Sequence, residues 1–353
     1  MRECYLLPLC VIIAFSPHRL FAQRVPTTTL KGTVLDDSTR KPVPATNVFI
    51  AGSTLGASSD SDGRFEIQRV PLGYQVLVAS HVAYFSHRAD VRLTDSAGSN
   101  FLIILRPQTI QMPLFDVEGK KPSEWHKQLE RFKKEFFGST DAGLQCKLIN
   151  PEILDFKSDH GSGEFSATAR EPLLFVNDFS GYRVRCILML FIVHGESFRF
   201  VGDLNYEPLL TNDETRRQTW NENREKAYRG SKRHFLYSLV RKMTRQEGFT
   251  VRDLGTELSP SALQRPMGNE VDPDTLLTFG DWPFEKKLSF FPNVLQITYS
   301  DRTSWHYSLI ELSAPTSAVY LNGQNPLGIV TRGYWAQQRA GELLPFNFEQ
   351  DRQ

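Results

Sequence analysis

Residues 32–84, GTVLDDSTRKPVPATNVFIAGSTLGASSDSDGRFEIQRVPLGYQVLVASHVAY, decide the fold, because short apolar runs and turn residues alternate there in a fixed order. Apolar alternation at Val34, Val48 to Ile50, Phe65 to Ile67 and Val76 to Val78 suits half-buried strands, whose successive side chains face opposite ways. Pro42 and Pro44 fix φ ahead of the second strand. Asp60-Ser61-Asp62-Gly63 supplies side-chain acceptors and one residue tolerant of positive φ before Arg64-Phe65. The pattern predicts a small β-sandwich without a catalytic core.

Gly32, Val34, Asp36, Pro42, Pro44, Asn47, Val48, Gly52, Gly56, Asp60, Gly63, Phe65, Pro71, Gly73 and Tyr74 together resemble the carboxypeptidase regulatory-like domain. That family is a transthyretin-like sandwich common in cell-envelope proteins of Bacteroidetes and at the N-termini of TonB-dependent transporters. Ala83 departs from it, since the family usually has Gly before the aromatic Tyr84. The resemblance implies a fold and an envelope location, and no peptidase chemistry comes with it.

The first 22 residues have the layout of a secretory signal peptide: Arg2, an apolar run from Tyr5 to Phe15, then Leu20-Phe21-Ala22. The expected location is across the inner membrane, in the periplasm or at the outer membrane or cell surface. Leu7-Pro8-Leu9 before Cys10 lacks the small residues of a lipoprotein site. Removing Arg2, Arg19 and Glu3 from 41 basic and 40 acidic residues leaves 39 of each, so global charge does not argue for nucleic acid. Cys4 and Cys10 leave with the signal. Cys146 and Cys186 then form either one disulfide in an oxidising compartment or two buried thiols.

About 330 mature residues suit two domains. The fold class expected is mainly β, a β-rich α+β chain: the sandwich over residues 28–107, a linker over 108–122, a larger β-rich domain with helical insertions over 123–346, and a polar tail over 347–353. Within the larger domain, Trp125, Leu129, Phe132, Phe136 and Phe137 recur at helical spacing, predicting an amphipathic helix over 124–137 stopped by Gly138. Strands are expected at 146–149, 153–157, 164–169, 173–176, 182–193 and 198–203, with Cys186 to Val193 (CILMLFIV) as a buried strand. Helices are expected over 213–229 and 232–246, a long surface loop through Pro260, Pro266, Gly268 and Pro273, and further strands between 276 and 334. Asn150-Pro151-Glu152-Ile153-Leu154, Glu171-Pro172-Leu173, Gly181-Tyr182 and the run Ala227 to Leu236 resemble the segment that follows the regulatory-like domain in a family of secreted Bacteroidetes proteins, which brings no established catalytic residues.

Charge is concentrated in one place. Ten Lys or Arg lie between Arg216 and Arg245 against Glu222 and Glu225. This is either a solvated helical face or a contact for an anionic partner, with Arg216, Arg217, Arg224, Arg229, Lys232 and Arg233 as the contact residues. Catalytic signatures are missing. No histidine is followed by Glu at the third position, as a zinc carboxypeptidase needs, and no His-Glu-x-x-His occurs. Asp60-x-Asp62-Gly63 resembles the opening of a calcium loop but runs straight into a strand. Gly161-Ser162-Gly163 is too short for a nucleophile elbow, and there is no phosphate loop, dinucleotide fingerprint or Cys-x-x-Cys. No catalytic, cofactor-binding or metal-binding residue is therefore assigned.

The reading that results is a non-enzymatic envelope protein binding a protein or glycan, peripheral to the outer membrane and without a transmembrane helix in the mature chain. The alternatives are an envelope hydrolase with a scattered carboxylate site in the second domain, or a small outer-membrane barrel with a periplasmic domain.

Overall fold

The alternation and turns read from residues 32–84 produce seven strands: β1 (Thr27–Asp36), β2 (Asn47–Ile50), β3 (Gly56–Ser58), β4 (Arg64–Pro71), β5 (Gly73–Ser80), β6 (His87–Leu93) and β7 (Asn100–Leu105). The computed structural model describes residues 26–94, 100–108, 123–159, 161–195, 197–301, 304–324 and 328–348. The expected signal peptide, nearly all of the linker and residues 349–353 of the tail lie outside them. Two sheets, ordered β4-β1-β7 and β3-β2-β5-β6, face each other. Leu30, Val34, Val48, Ile50, Phe65, Ile67, Leu77 and Ile103 fill the space between them. Asp60 Oδ1 accepts from the backbone amides of Asp62 (2.9 Å) and Arg64 (2.8 Å), and Gly63 takes φ +72°, so this carboxylate serves the turn. Tyr84 donates its hydroxyl to Asp36 Oδ2 at 2.9 Å, closing the sandwich at its far end.

Helix α1 (Ser123–Phe137) follows, with α2 (Asp141–Leu144) and six strands: β8 (Cys146–Leu148), β9 (Leu154–Ser158), β10 (Phe165–Ala169), β11 (Leu173–Asn177), β12 (Tyr182–His194) and β13 (Ser197–Pro208). They form one sheet, β8-β11-β12-β10-β9, with β13 pairing along β12. The helical spacing read from the sequence lays Leu129, Phe132, Phe136 and Phe137 on this sheet, with Phe132 4.7 Å from Phe191. The run Cys186 to Val193 is buried on one face only, which corrects its reading as a buried strand. Cys186, Phe191 and Val193 point to α1, while Met189, at a bulge in the β12–β13 pairing, is 47% exposed.

The rest of the chain contains α3 (Glu214–Tyr228), α4 (Lys232–Val240), β14 (Phe249–Asp253), β15 (Asn269–Glu270), β16 (Leu277–Phe279), β17 (Glu285–Leu288), β18 (Val294–Ser300), β19 (Trp305–Leu312), β20 (Ser317–Tyr320), β21 (Ile329–Gly333) and α5 (Tyr334–Gln337). A five-stranded sheet, β15-β14-β18-β19-β21, and a three-stranded one, β16-β17-β20, enclose Phe235, Leu236 and Leu239 of α4. Residues 123–346 thus hold two large hydrophobic clusters. The stretch read as a surface loop is partly buried: Ala262 is inaccessible, and buried Gln296 donates to the carbonyls of Ala262 (2.6 Å) and Arg265 (2.8 Å) and accepts from Met267 N (3.0 Å).

A short C-terminal segment joins the three cores, beginning with Trp335 of α5, which is buried in the cluster around α4. Ala340 enters the six-stranded core, and Asn177 Nδ2 donates to Gly341 O at 2.8 Å. Phe346 enters the sandwich core, with its amide on Gly52 O at 2.7 Å. Asn347 donates to Thr54 Oγ1 (2.7 Å) and accepts from Thr54 N (3.0 Å). Asn347 and Phe348 are buried, which corrects a polar tail starting at 347: Asn347 satisfies the sandwich turn and Phe348 packs on Tyr228. The sandwich also borrows the edge of β13. Gly52 N donates to Leu204 O and Tyr206 N to Ser53 O, and beside them Arg88 pairs with the buried Asp203 at 3.3 Å.

Candidate binding surface

The six basic residues expected to contact an anion are distributed by α3 and α4 over separate tasks. Arg224 caps the turn before β12, donating to Ser180 O (2.7 Å) and Gly181 O (3.3 Å) while covering the Tyr182 ring at 4.3 Å. Arg216 lies over Trp220 and reaches Asp178 at 3.4 Å. Arg217 pairs with Glu214 within α3, and Arg229, at the end of α3, pairs with Glu225 at 3.7 Å. Arg233 donates to Asn322 O and lies over Phe346. Lys232 opens α4, and burial holds its ammonium below the usual lysine range. Three of the six, Arg216, Arg224 and Arg233, tie helices to loops.

Cys146 and Cys186 are unbonded, which corrects the disulfide alternative. Cys146 lies opposite Asn177 on β11, and Asn177 lies opposite Tyr182 on β12, four residues from Cys186. Two strand spacings of about 4.8 Å and four rises of about 3.4 Å separate the Cα atoms by roughly 17 Å. A disulfide tolerates about 7 Å. Burial pushes the Cys146 thiol up to about 12, with Asp178 adding to the effect, and pushes Cys186 higher still.

The features a hydrolase would use do not converge. A groove of about 270 Å³ between α1 and the β9–β10 turn is lined by Glu124, Lys127, Arg131, Asp159 and Glu164. Glu124 pairs with Lys127, and Asp159 accepts from Gly161 N (2.8 Å) and Ser162 Oγ (2.7 Å) within its own turn. Ser304 Oγ lies 3.1 Å from His306 Nε2 and also 3.1 Å from Asp301 Oδ1, so the serine, not the histidine, holds the carboxylate, unlike a catalytic triad. His306 stacks on Tyr334 at 4.1 Å, and burial lowers its pKa. Among the described residues, no three His, Cys, Asp or Glu side chains are grouped to hold a metal ion, and no helix is long and apolar enough to cross a membrane. The described strands form five separate sheets, with the apolar face of the six-stranded one covered by α1.

One surface stands out, at the tip of the β16–β17 hairpin, where Phe279 is 87% and Trp282 48% exposed. The tip is held from several directions. Gly280 N donates to Glu285 O, Glu285 N to Trp282 O, and Asp281 N to Glu285 Oε1, while Lys287 pairs with Asp281 at 2.6 Å. Phe284, at φ 66°, turns into the sandwich and packs against its core. Leu321 N donates to Phe284 O. Gly73 of the sandwich, at φ +103°, lies beside Phe284 and Tyr320, and Tyr74 stacks on Tyr320 at 5.5 Å. Tyr320 donates to the buried Glu285 at 3.2 Å, and burial together with that carboxylate raises its phenol to about 12. Arg92 of β6 lies over Trp282 at 5.1 Å, and Lys286 over Phe279 at 4.2 Å. The sequence reading gives this segment only as part of the further strands expected between 276 and 334. The missed signal is Phe279-Gly-Asp-Trp-Pro-Phe284, three aromatics around a turn.

Residues 30–115 match the family model of the CarboxypepD_reg-like domain, so the N-terminal sandwich is a domain of that type. No curated protein matches the chain. Among solved structures, the chain is similar to a type II cohesin–X-dockerin complex of Acetivibrio cellulolyticus carrying an N-terminal interface mutation, with 25% identity and a TM-score of 0.20 over 23% of this chain and 58% of that one. A C-terminal interface mutant of the same complex gives 23% identity and a TM-score of 0.21 over 33% of this chain and 79% of that one. A DUF3823 family protein from Bacteroides uniformis gives 9% identity and a TM-score of 0.18 over 84% of this chain and all of that one.

Proposed function

We propose that this chain is a non-enzymatic binding module of the bacterial cell envelope, exported across the inner membrane, whose glycan or protein partner docks on the hairpin tip beside the sandwich. The observation that carries the reading is a tip, tied by hydrogen bonds and an ion pair, that leaves Phe279 and Trp282 exposed to water. Large exposed apolar groups clustered together mark interaction sites, and Trp, Tyr and Arg dominate binding energy where they meet a partner. Backbone hydrogen bonds, the Lys287–Asp281 pair and the Phe284 anchor fix both rings before any partner arrives. Binding then loses little conformational entropy at the contact.

The test is to express the tagged chain in its native envelope, cross-link gently and identify what co-purifies, beside Phe279→Ala and Trp282→Ala. A partner recovered with wild type and reduced at least tenfold in both variants supports the site. Equal recovery from all three refutes it.

A further inference from the structure

We infer that the ligand of the hairpin tip is an acidic polysaccharide, with carboxylates repeating along a chain of sugar rings; this rests on the binding-module reading above. Trp282 and Phe279 each carry a cation on one ring face, Arg92 at 5.1 Å and Lys286 at 4.2 Å. Neither cation has a salt-bridge partner among the described residues. The nearby carboxylates are committed elsewhere: Asp281 to Lys287, and Glu285, 8% exposed, to the Tyr320 hydroxyl and the Asp281 amide.

The tip therefore presents the same pairing twice: an exposed aromatic ring with a positive charge over one of its faces, a charge without a salt-bridge partner among the described residues. A sugar ring offers an apolar face of C–H groups, and a ring carboxylate lies in the plane beside that face. One uronic acid unit matches one ring and its cation. The duplication three residues apart along a single turn suits a polymer, in which a second unit engages at high effective concentration. Single-stranded nucleic acid also combines stacking with charge, but its backbone is tracked by a basic groove. Here the cations over the two rings are Arg92 and Lys286 alone among the described residues, and mature charge balances at 39 basic against 39 acidic residues.

The test uses the full mature chain with polygalacturonate and with the same polymer after chemical reduction of its carboxyl groups, read by calorimetry and by Trp fluorescence. Expected are binding of polygalacturonate, at least tenfold weaker binding of the reduced polymer, and a loss of about 10-fold or more for Arg92→Gln and for Lys286→Gln, as for losing a charge-assisted hydrogen bond. Both cations lie outside the buried cores, and circular dichroism melts are the check that these variants fold. Equal binding of both polymers through Trp282 overturns the acidic ligand and leaves the binding reading intact. Tighter binding of polyglutamate or a thymidine oligonucleotide, lost in the same variants, assigns the tip to a peptide or nucleic acid and also overturns the inference. No polysaccharide binding, with a cross-linked envelope protein still lost in Trp282→Ala, overturns the inference alone. If that protein is retained too, both fall.

Discussion

Phe346→Ala tests whether the C-terminal segment is part of the sandwich. The ring is 4% exposed and packs into the core between the two sandwich sheets, more than two hundred residues from the strands around it. Truncating a buried Phe to Ala typically costs about 3–5 kcal/mol. The amide bond of residue 346 to Gly52 O survives the change, as do both Asn347 contacts to Thr54. The segment therefore stays near its site, and the lower end, about 3 kcal/mol, applies. At 1.4 kcal/mol per factor of ten, that loss corresponds to about 100-fold. Native-state hydrogen exchange reads it strand by strand, because local opening sets amide protection. Protection of β5 amides, Leu77 and Ala79 included, should fall by about two orders of magnitude, while Leu295 and Ile297 in β18, inside another core, should hold. A fall under threefold in β5 would show that Phe346 fills a pocket the sandwich does not need, and the argument for a three-core clamp would fail.

Asp203 predicts a pH effect of definite sign. Burial is the largest cause and raises its pKa against the attraction of Arg88, so ionisation is harder folded than unfolded. Its contribution is complete below the unfolded value near 3.9 and is lost as pH rises through the folded value. The stability of wild type relative to Asp203→Asn, from urea midpoints, should therefore decline as pH rises above about 4; a rise would refute the assignment. Iodoacetamide at pH 8 should modify native Cys146 roughly a thousandfold more slowly than free cysteine, with Cys186 slower still, because the thiolate is the nucleophile. Rapid alkylation of the folded chain, or a peptide linking the two after mild oxidation, would contradict the strand geometry. Gln296→Leu strips partners from Ala262 O, Arg265 O and Met267 N and should cost about 2–4 kcal/mol, with faster proteolysis between 254 and 268. Unchanged cleavage there would show that the loop is held by its apolar contacts alone.

The sandwich was legible in sequence because every determinant is local. Val34, Phe65 and Leu77 sit at period two, and Asp60 and Gly63 carry turn chemistry that needs no distant partner. The α1 stripe was legible for the same reason. Cys186 to Val193 misled because eight apolar residues look alike whether a sheet is covered on one face or two, and only the position of α1 decides. Asn347 read as polar tail because its partner, Thr54, lies 293 residues away. The basic run around α3 was visible as composition, yet the sequence could not show that Arg224 answers the carbonyls of Ser180 and Gly181 or that Arg216 answers Asp178. At the hairpin, sequence showed the aromatics but not their exposure. Leu288 and Val319 on the neighbouring strands are fully buried, and Phe279 looks no different from them along the chain.

The hairpin tip also constrains how its role can be separated from that of the sandwich. Arg92 comes from β6, Trp282 from the hairpin, and Phe284 packs against the sandwich core beside Gly73. Deleting residues 28–107 would remove the cation over Trp282, expose Phe284 and Tyr320, and free the β13 edge that Gly52 and Ser53 occupy. Loss of a partner after that deletion would then report equally on a binding sandwich and on a disordered tip. Arg92→Gln separates the two, because it keeps the Phe284 anchor and the Tyr74 ring over Tyr320 while removing the charge over Trp282, at the loss of one contact to the Tyr320 hydroxyl. The sandwich thus contributes to the tip itself: its core receives Phe284, and its strand β6 supplies the Arg92 that lies over Trp282.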